Sequence, residues 1–108
     1  SKNMLLGANG QNIYPEEIED KLNSLALVNE SVVIQKGEKL IGLVHPDFDE
    51  AQSLNLGRKE LEDIMEQNRV ELNSMIPAYS KVSEIRIHDE EFEKTPKKSI
   101  KRFLYTAE

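Results

Sequence analysis

A chain of 108 residues has the length of one domain with a single modest core. Little volume remains for a deep substrate cavity, so a large ligand must meet its surface or lie between it and another domain. Hydrophobic residues make up 38% and charged residues 31%, with a formal net charge of −6. This suits a solvated globular exterior and disfavours non-specific nucleic-acid binding, which needs clustered positive charge. No cysteine is present, which removes disulfides, thiolate chemistry and Cys-based zinc sites, and no apolar run is long enough for a membrane span or a secretory leader.

In chain order, Met4-Leu5-Leu6 reads as a short strand, Gly7-Ala8-Asn9-Gly10 as a turn able to take positive φ, and Asn12-Ile13-Tyr14 as the returning strand of a hairpin. Pro15 with Glu16 and Glu17 opens a helix, proline fitting the first helical position and acids the positive end of the helix dipole. Ile18, Leu22 and Leu25 share one face and predict a helix over 15–25. Ser31–Gln35 and Leu40–His45 read as two buried strands joined by a turn at 36–39, followed by a polar loop from Pro46 to Gly57. The stripe Leu61, Ile64, Met65, Leu72, Met75 and Ile76 predicts a helix over 58–76, ended by Pro77. Val82–Ile87 alternates as a half-buried strand. After a loop around Thr95-Pro96, residues Ile100, Phe103 and Leu104 predict a short amphipathic terminal helix. The order hairpin, helix, strand, strand, helix, strand, helix is that of an α+β domain, a small mixed sheet (the hairpin plus about three strands) covered by helices.

Self-sufficient catalytic machinery is missing. His45 and His88 lack metal-ligand spacing, and neither a nucleophile elbow nor a phosphate-binding loop occurs. The acidic run Asp89, Glu90, Glu91, Glu93 is followed by Lys94, Lys97, Lys98, Lys101 and Arg102, a basic cluster sized for a phosphate or two, or simply a solvated face. Two segments carry more: GQNIYPEEIE at 10–19, read locally as a turn feeding a helix, and KTPKKSIKR at 94–102, read locally as a loop and basic terminal helix.

Together, in order and separation, these segments resemble the "G-x-N-[VI]-[YS]-P-x-E-[IL]-E" and "K-T-x-x-G-K-I-x-R" segments of the C-terminal domain of the adenylate-forming (AMP-binding) superfamily, which includes acyl-CoA synthetases, luciferases and peptide-synthetase adenylation domains. Within it they look most like bacterial long-chain fatty acid–CoA ligases. The resemblance implies that residues 1–108 form the C-terminal lid of a larger enzyme, and the start at Ser1 without an initiator Met fits such a piece. A large N-terminal domain, absent from this chain, would bind ATP, Mg2+ and the fatty acid. The lid would close over it for adenylation and rotate to admit CoA for thioester formation, with release of AMP.

Carried onto this chain, the resemblance puts the hinge at Lys2 and the loop that approaches the pantetheine arm of CoA at Gly7–Asn12, with Gly10, Gln11 and Asn12 as its site residues. Glu17 and Glu19 match the acids that support that loop. The catalytic lysine of the family falls on Ser99, and its preceding glycine on Lys98. Lys98 is therefore the first candidate to supply the missing charge, with Lys97 and Lys101 behind it, and slow adenylation as the remaining alternative. No metal ligand is implied within the domain. The resemblance places the full-length enzyme in the cytoplasm, or peripheral to the inner membrane. A lid serving an aryl-acid or amino-acid enzyme, or an independent binding module for a peptide or anion, are the competing expectations.

Overall fold

A computed structural model describes residues 3–106. Strands β1 (Leu5–Leu6) and β2 (Asn12–Ile13) pair antiparallel as a hairpin of their own. The main sheet holds β3 (Val28–Lys36), β4 (Lys39–Pro46) and β5 (Val82–Ile87), with β4 in the middle. β3 and β4 form an antiparallel hairpin in which Val33 faces Gly42, whereas β4 and β5 run parallel. A parallel neighbour needs a long crossover. Helices α2 (Phe48–Ser53) and α3 (Arg58–Asn73) supply it.

The apolar runs of β3 and β4 are continuous rather than alternating because both faces of these strands are covered. On one face Val33, Leu40 and Val44 pack with Ile18 and Leu22 of α1 (Pro15–Leu22) and with Leu61, Met65 and Leu72 of α3. On the other, Val32, Ile34, Ile41 and Leu43 are covered by Phe92, Ile100 and Tyr105 of the C-terminal tail. β5 departs from the strict alternation expected: Val82 is buried and Ile85 and Ile87 pack against the same core, but Ser83 and Glu84 are both exposed where the register with β4 shifts.

Several expectations need correction. α1 ends at Leu22, with Asn23 as its C-cap, so Leu25 packs against the core from a turn and not from the helix. The expected polar loop contains α2, whose N-cap Asp47 accepts a hydrogen bond from the Glu50 N–H at 3.0 Å. α3 stops at Asn73, three residues early. Its Asn73 side-chain amide bridges both backbone groups of Val82, anchoring the helix end to β5 and competing with a further helical turn. The terminal amphipathic helix is instead a hairpin, with Lys94 bridged to Ile100, and then a single 3₁₀ turn at Arg102–Leu104. Phe103 is 73% exposed and Leu104 is also exposed, while Tyr105 supplies the buried ring.

The two histidines are structural. Nδ1 of the buried His45 lies 3.0 Å from the His88 carbonyl, and His88 stacks on Phe92 with centroids 4.6 Å apart.

Candidate functional site

Two exposed loops carry the segments singled out by sequence, and they share one backbone design. In the first, Gly7 N–H donates to the Gln11 carbonyl at 2.7 Å and Gly10 N–H donates to the Gly7 carbonyl at 3.0 Å. Gly10 has φ of 84°, the left-handed conformation that closes a three-residue hairpin loop. A Cβ at Gly10 would meet open space, so glycine is needed for the backbone and not for local packing. Gln11 folds its amide back towards Gly7, leaving its side-chain oxygen buried with no partner among the described residues. Asn12 is exposed at the start of β2.

The second loop repeats the pattern. Thr95 N–H donates to the Ser99 carbonyl at 2.8 Å and Lys98 N–H to the Thr95 carbonyl at 2.8 Å. Lys98 now holds the left-handed position, with φ of 67°. For a residue with a Cβ this conformation costs roughly 1–2 kcal/mol. Pro96 fits the first corner of the turn, and the Thr95 hydroxyl accepts from Ser99 N–H at 3.2 Å. Pro96, Lys97, Lys98 and Ser99 are all exposed. The ammonium groups of Lys97, Lys98 and Lys101 meet no partner among the described residues, whereas Lys94 is committed to Glu30 at 2.7 Å. The tip therefore presents uncompensated positive charge beside one serine hydroxyl, suited to an anionic oxygen.

Behind the loops, a carboxylate network joins segments 83 positions apart. Glu19 is buried, and its Oε2 accepts from Val33 N–H of β3 at 2.7 Å. Arg102 forks onto the same carboxylate, Nη1 donating to Oε2 at 2.7 Å and Nη2 to Oε1. Glu16 approaches Arg102 Nε at 3.8 Å, and its Oε2 also accepts from Asn3, at 2.6 Å from Nδ2 and 3.3 Å from the backbone N–H. Burial pushes the Glu19 carboxyl above its ordinary value, against the pull of the Arg102 fork and the Val33 N–H. Burial also acts to raise Glu16, but the bonds from Asn3 and a helix-start amide, with the Arg102 charge, outweigh it and hold this carboxyl low. Burial of Arg102 is likewise outweighed by its carboxylate partners, which raise its guanidinium. Removing one member of such a buried pair leaves an uncompensated charge, at a cost of about 3–5 kcal/mol.

The expected site residues thus divide into groups. Gly10, Gln11 and Asn12 belong to the first loop, and Lys98 and Ser99 to the tip of the second. The loops open onto different grooves, the first beside Gln35, Tyr79 and Lys81, the second beside Asn3, Glu16 and Phe103. Glu17 is exposed on α1 and lines a third groove with Tyr14 and Tyr79. Glu19 faces β3 and the tail. Lys2 lies outside the described residues. Sequence reasoning did not single out Arg102 or Glu16 as site residues. The available signal was Glu19 itself, an acid beside Ile18 on the apolar stripe of α1, where an unpaired charge is not tolerated. Among the described residues, no group of three or more His, Asp or Glu converges as metal ligands do, and no helix is long and apolar enough to cross a membrane.

The family model described as AMP-binding enzyme C-terminal domain matches residues 2–108. No match is found among curated proteins. Among solved structures, the chain is similar to an acyl-CoA synthetase from Brucella canis, with TM-score 0.67 and 23% identity over 99% of this chain and 19% of that one. It is also similar to a fatty acyl CoA synthetase from Mycobacterium tuberculosis, with TM-score 0.63 and 19% identity over 96% of this chain and 20% of that one. A third is the A-PCP didomain of a carboxylic acid reductase from Segniliparus rugosus in complex with AMP, with TM-score 0.67, 17% identity, and coverage of 94% and 15%. At these identities the likeness shows the fold, and the chain spans a fifth or less of each of these structures.

Proposed function

The chain belongs to the AMP-binding enzyme C-terminal domain family, and from that premise we propose that it is the lid of an AMP-forming long-chain fatty acid–CoA ligase. In this reading a large N-terminal domain binds ATP, Mg2+ and the acid, and the lid completes the active site in two orientations. In the first, the fatty-acid carboxylate attacks the α-phosphorus of ATP and pyrophosphate departs. In the second, the CoA thiol attacks the acyl carbon of the adenylate, AMP departs, and the thiol proton is lost to solvent or a base.

The observation that carries the reading is Lys98. It holds a left-handed turn position that glycine would occupy without strain, at an exposed tip with its ammonium unpartnered among the described residues. Strain kept at a loop tip is typical of a functional residue. A cation there would stabilise negative charge building on phosphate and carboxylate oxygens during adenylation, with Ser99 offering a hydroxyl donor beside it. The first loop, around Gly10, would approach the pantetheine arm of CoA once the lid has rotated. Its opening onto a separate groove supports a two-orientation lid, since each half-reaction would meet a different loop. The long-chain substrate is the finer part of this proposal and is supported by the motif resemblance and the fatty acyl CoA synthetase neighbour. In this proposal the enzyme is cytoplasmic, or peripheral to the inner membrane.

The test is to purify the full-length protein and measure pyrophosphate release and acyl-CoA formation with acetate, medium- and long-chain fatty acids, benzoate and amino acids. Highest kcat/KM for long-chain acids is expected. A preference for benzoate or an amino acid would move the lid to another adenylate-forming enzyme, and no pyrophosphate release with any acid would overturn the reading. The 108-residue chain alone is expected to release none.

A further inference from the structure

We infer that Arg102 is a positioning residue, whose fork onto Glu19, braced by Glu16, orients the Lys98 loop and ties that orientation to the chain at Asn3. The inference rests on the lid reading for its kinetic consequence, but its geometry stands independently. The returning arm of the hairpin is a short rigid ladder. Ile100 bridges Lys94, Lys101 N–H donates to the Glu93 carbonyl at 2.8 Å, and Arg102 follows at once. A displacement of the guanidinium is therefore transmitted to Lys98, four positions back, with little slack.

The outgoing arm is tethered to β3 by Glu30, which accepts from Phe92 N–H and pairs with Lys94, each at 2.7 Å, and the Tyr105 hydroxyl accepts from Glu93 N–H at 2.8 Å. On the returning arm Ile100 meets the sheet through apolar contact, which resists lifting but fixes direction weakly. The Arg102 fork is different. It is bidentate and planar, and its partner carboxylate is itself fixed by the Val33 N–H. An apolar pair would hold the tail as firmly with less desolvation, so the ion pair contributes direction more than adhesion. Glu16 extends the network, since one of its oxygens serves Asn3 and faces Arg102 Nε. A change of backbone direction near Asn3 would pull on Glu16, then on Arg102, and so on the loop.

The experiment compares wild type with Arg102→Lys, Arg102→Ala and the double variant Glu19→Gln/Arg102→Gln in the full-length enzyme. The double variant removes the fork without stranding a buried charge. It measures kcat and KM for pyrophosphate release, thioester formation from supplied acyl-adenylate, and amide hydrogen exchange across the domain. Adenylation kcat is expected to fall roughly tenfold or more in Arg102→Ala and the double variant, as misplacement of a reacting group does. Arg102→Lys should lose less. KM and the supplied-adenylate reaction should hardly change, and exchange should quicken at Thr95, Lys98, Ser99 and Lys101 but not in β4. Unchanged kcat in the double variant would overturn the inference, as would equal loss in both half-reactions or faster exchange throughout the domain, the mark of a general structural role. If wild type releases no pyrophosphate, the lid reading fails. The exchange pattern then decides alone whether the pair orients the loop.

Discussion

The loops at 7–11 and 95–99 are built on the same pair of hydrogen bonds and the same left-handed fourth residue, but one uses Gly10 and the other Lys98. The first has a backbone free of strain and no charge. The second accepts strain and carries a cation at the tip. Where two loops share one geometry, the residue at the strained position separates what the fold requires from what chemistry requires. Glycine satisfies the fold at both places, so the lysine answers to something else.

The strongest test of that contrast removes the charge and keeps the strain. Lys98→Ala in the full-length enzyme should slow pyrophosphate release by roughly 10²–10³-fold, about 2.7–4 kcal/mol of transition-state stabilisation, and leave thioester formation from supplied adenylate intact. Normal pyrophosphate release in this variant would remove Lys98 from the role, leaving Lys97, Lys101 or a cation of the large domain. Ser99→Lys sharpens the result, since it should leave adenylation unchanged or slightly slower if Lys98 already serves and markedly faster if the charge is missing.

Next in size is the other loop. Gly10→Ala should lower domain stability by roughly 1–2 kcal/mol in urea denaturation, because alanine must adopt φ of 84°. Gly10→Trp should in addition impair acyl-CoA formation more than pyrophosphate release. The mirror experiment, Lys98→Gly, should gain up to about 1 kcal/mol, the relieved strain being partly offset by the greater freedom of glycine in the unfolded chain. Loss of stability there would mean that the loop favours lysine for its own folding, and the contrast would collapse.

The smallest effect concerns the carboxylates behind the loops, which are shifted in opposite directions. Glu16 has a folded-state pKa below its ordinary 4.5, so its contribution is present above that value and lost as pH falls through the lowered one. For Glu19, raised in the fold, the contribution of titration is present below its unfolded value and lost as pH rises through the folded one. The stability difference between wild type and Glu16→Gln should therefore shrink on acidification from about pH 6 to 3, by a few tenths of a kcal/mol given the partial exposure of Glu16. That for Glu19→Gln should grow. Slopes of the same sign would contradict the assigned environments.

Much of the fold was legible because its longer elements follow a single period. The stripe of α3, the proline start of α1 and the apolar runs of β3 and β4 each led to an element of the right kind. What was missed depended on signals too short or too distant. α2 has only six residues, though Asp47 followed by Glu50 is a capping signature that a stricter reading would have caught. At the tail, Ile100, Phe103 and Leu104 mimic a helical face, but the sheet takes its rings from Phe92 and Tyr105, whose placement follows the hairpin and not a helix. In the candidate site, both loops lay within motifs visible to inspection. The Glu19–Arg102 fork did not, because nothing local says which of the basic residues at 94–102 meets an acid 83 positions earlier.

The bond from Val33 N–H to Glu19 has a consequence for solubility. β3 is the outer strand of its sheet, and an outer strand offers backbone donors on which another chain can add as a further strand. Here the donor in the middle of its apolar run is already taken by a carboxylate, with the Arg102 guanidinium lying across it. A stranger approaching the middle of that rim would have to displace an ion pair to reach the Val33 N–H. A domain that swings away from its neighbour on every turnover, as proposed for this one, would expose such rims repeatedly. A charged latch at Val33, in the middle of β3, would hinder sheet growth between molecules at each such exposure.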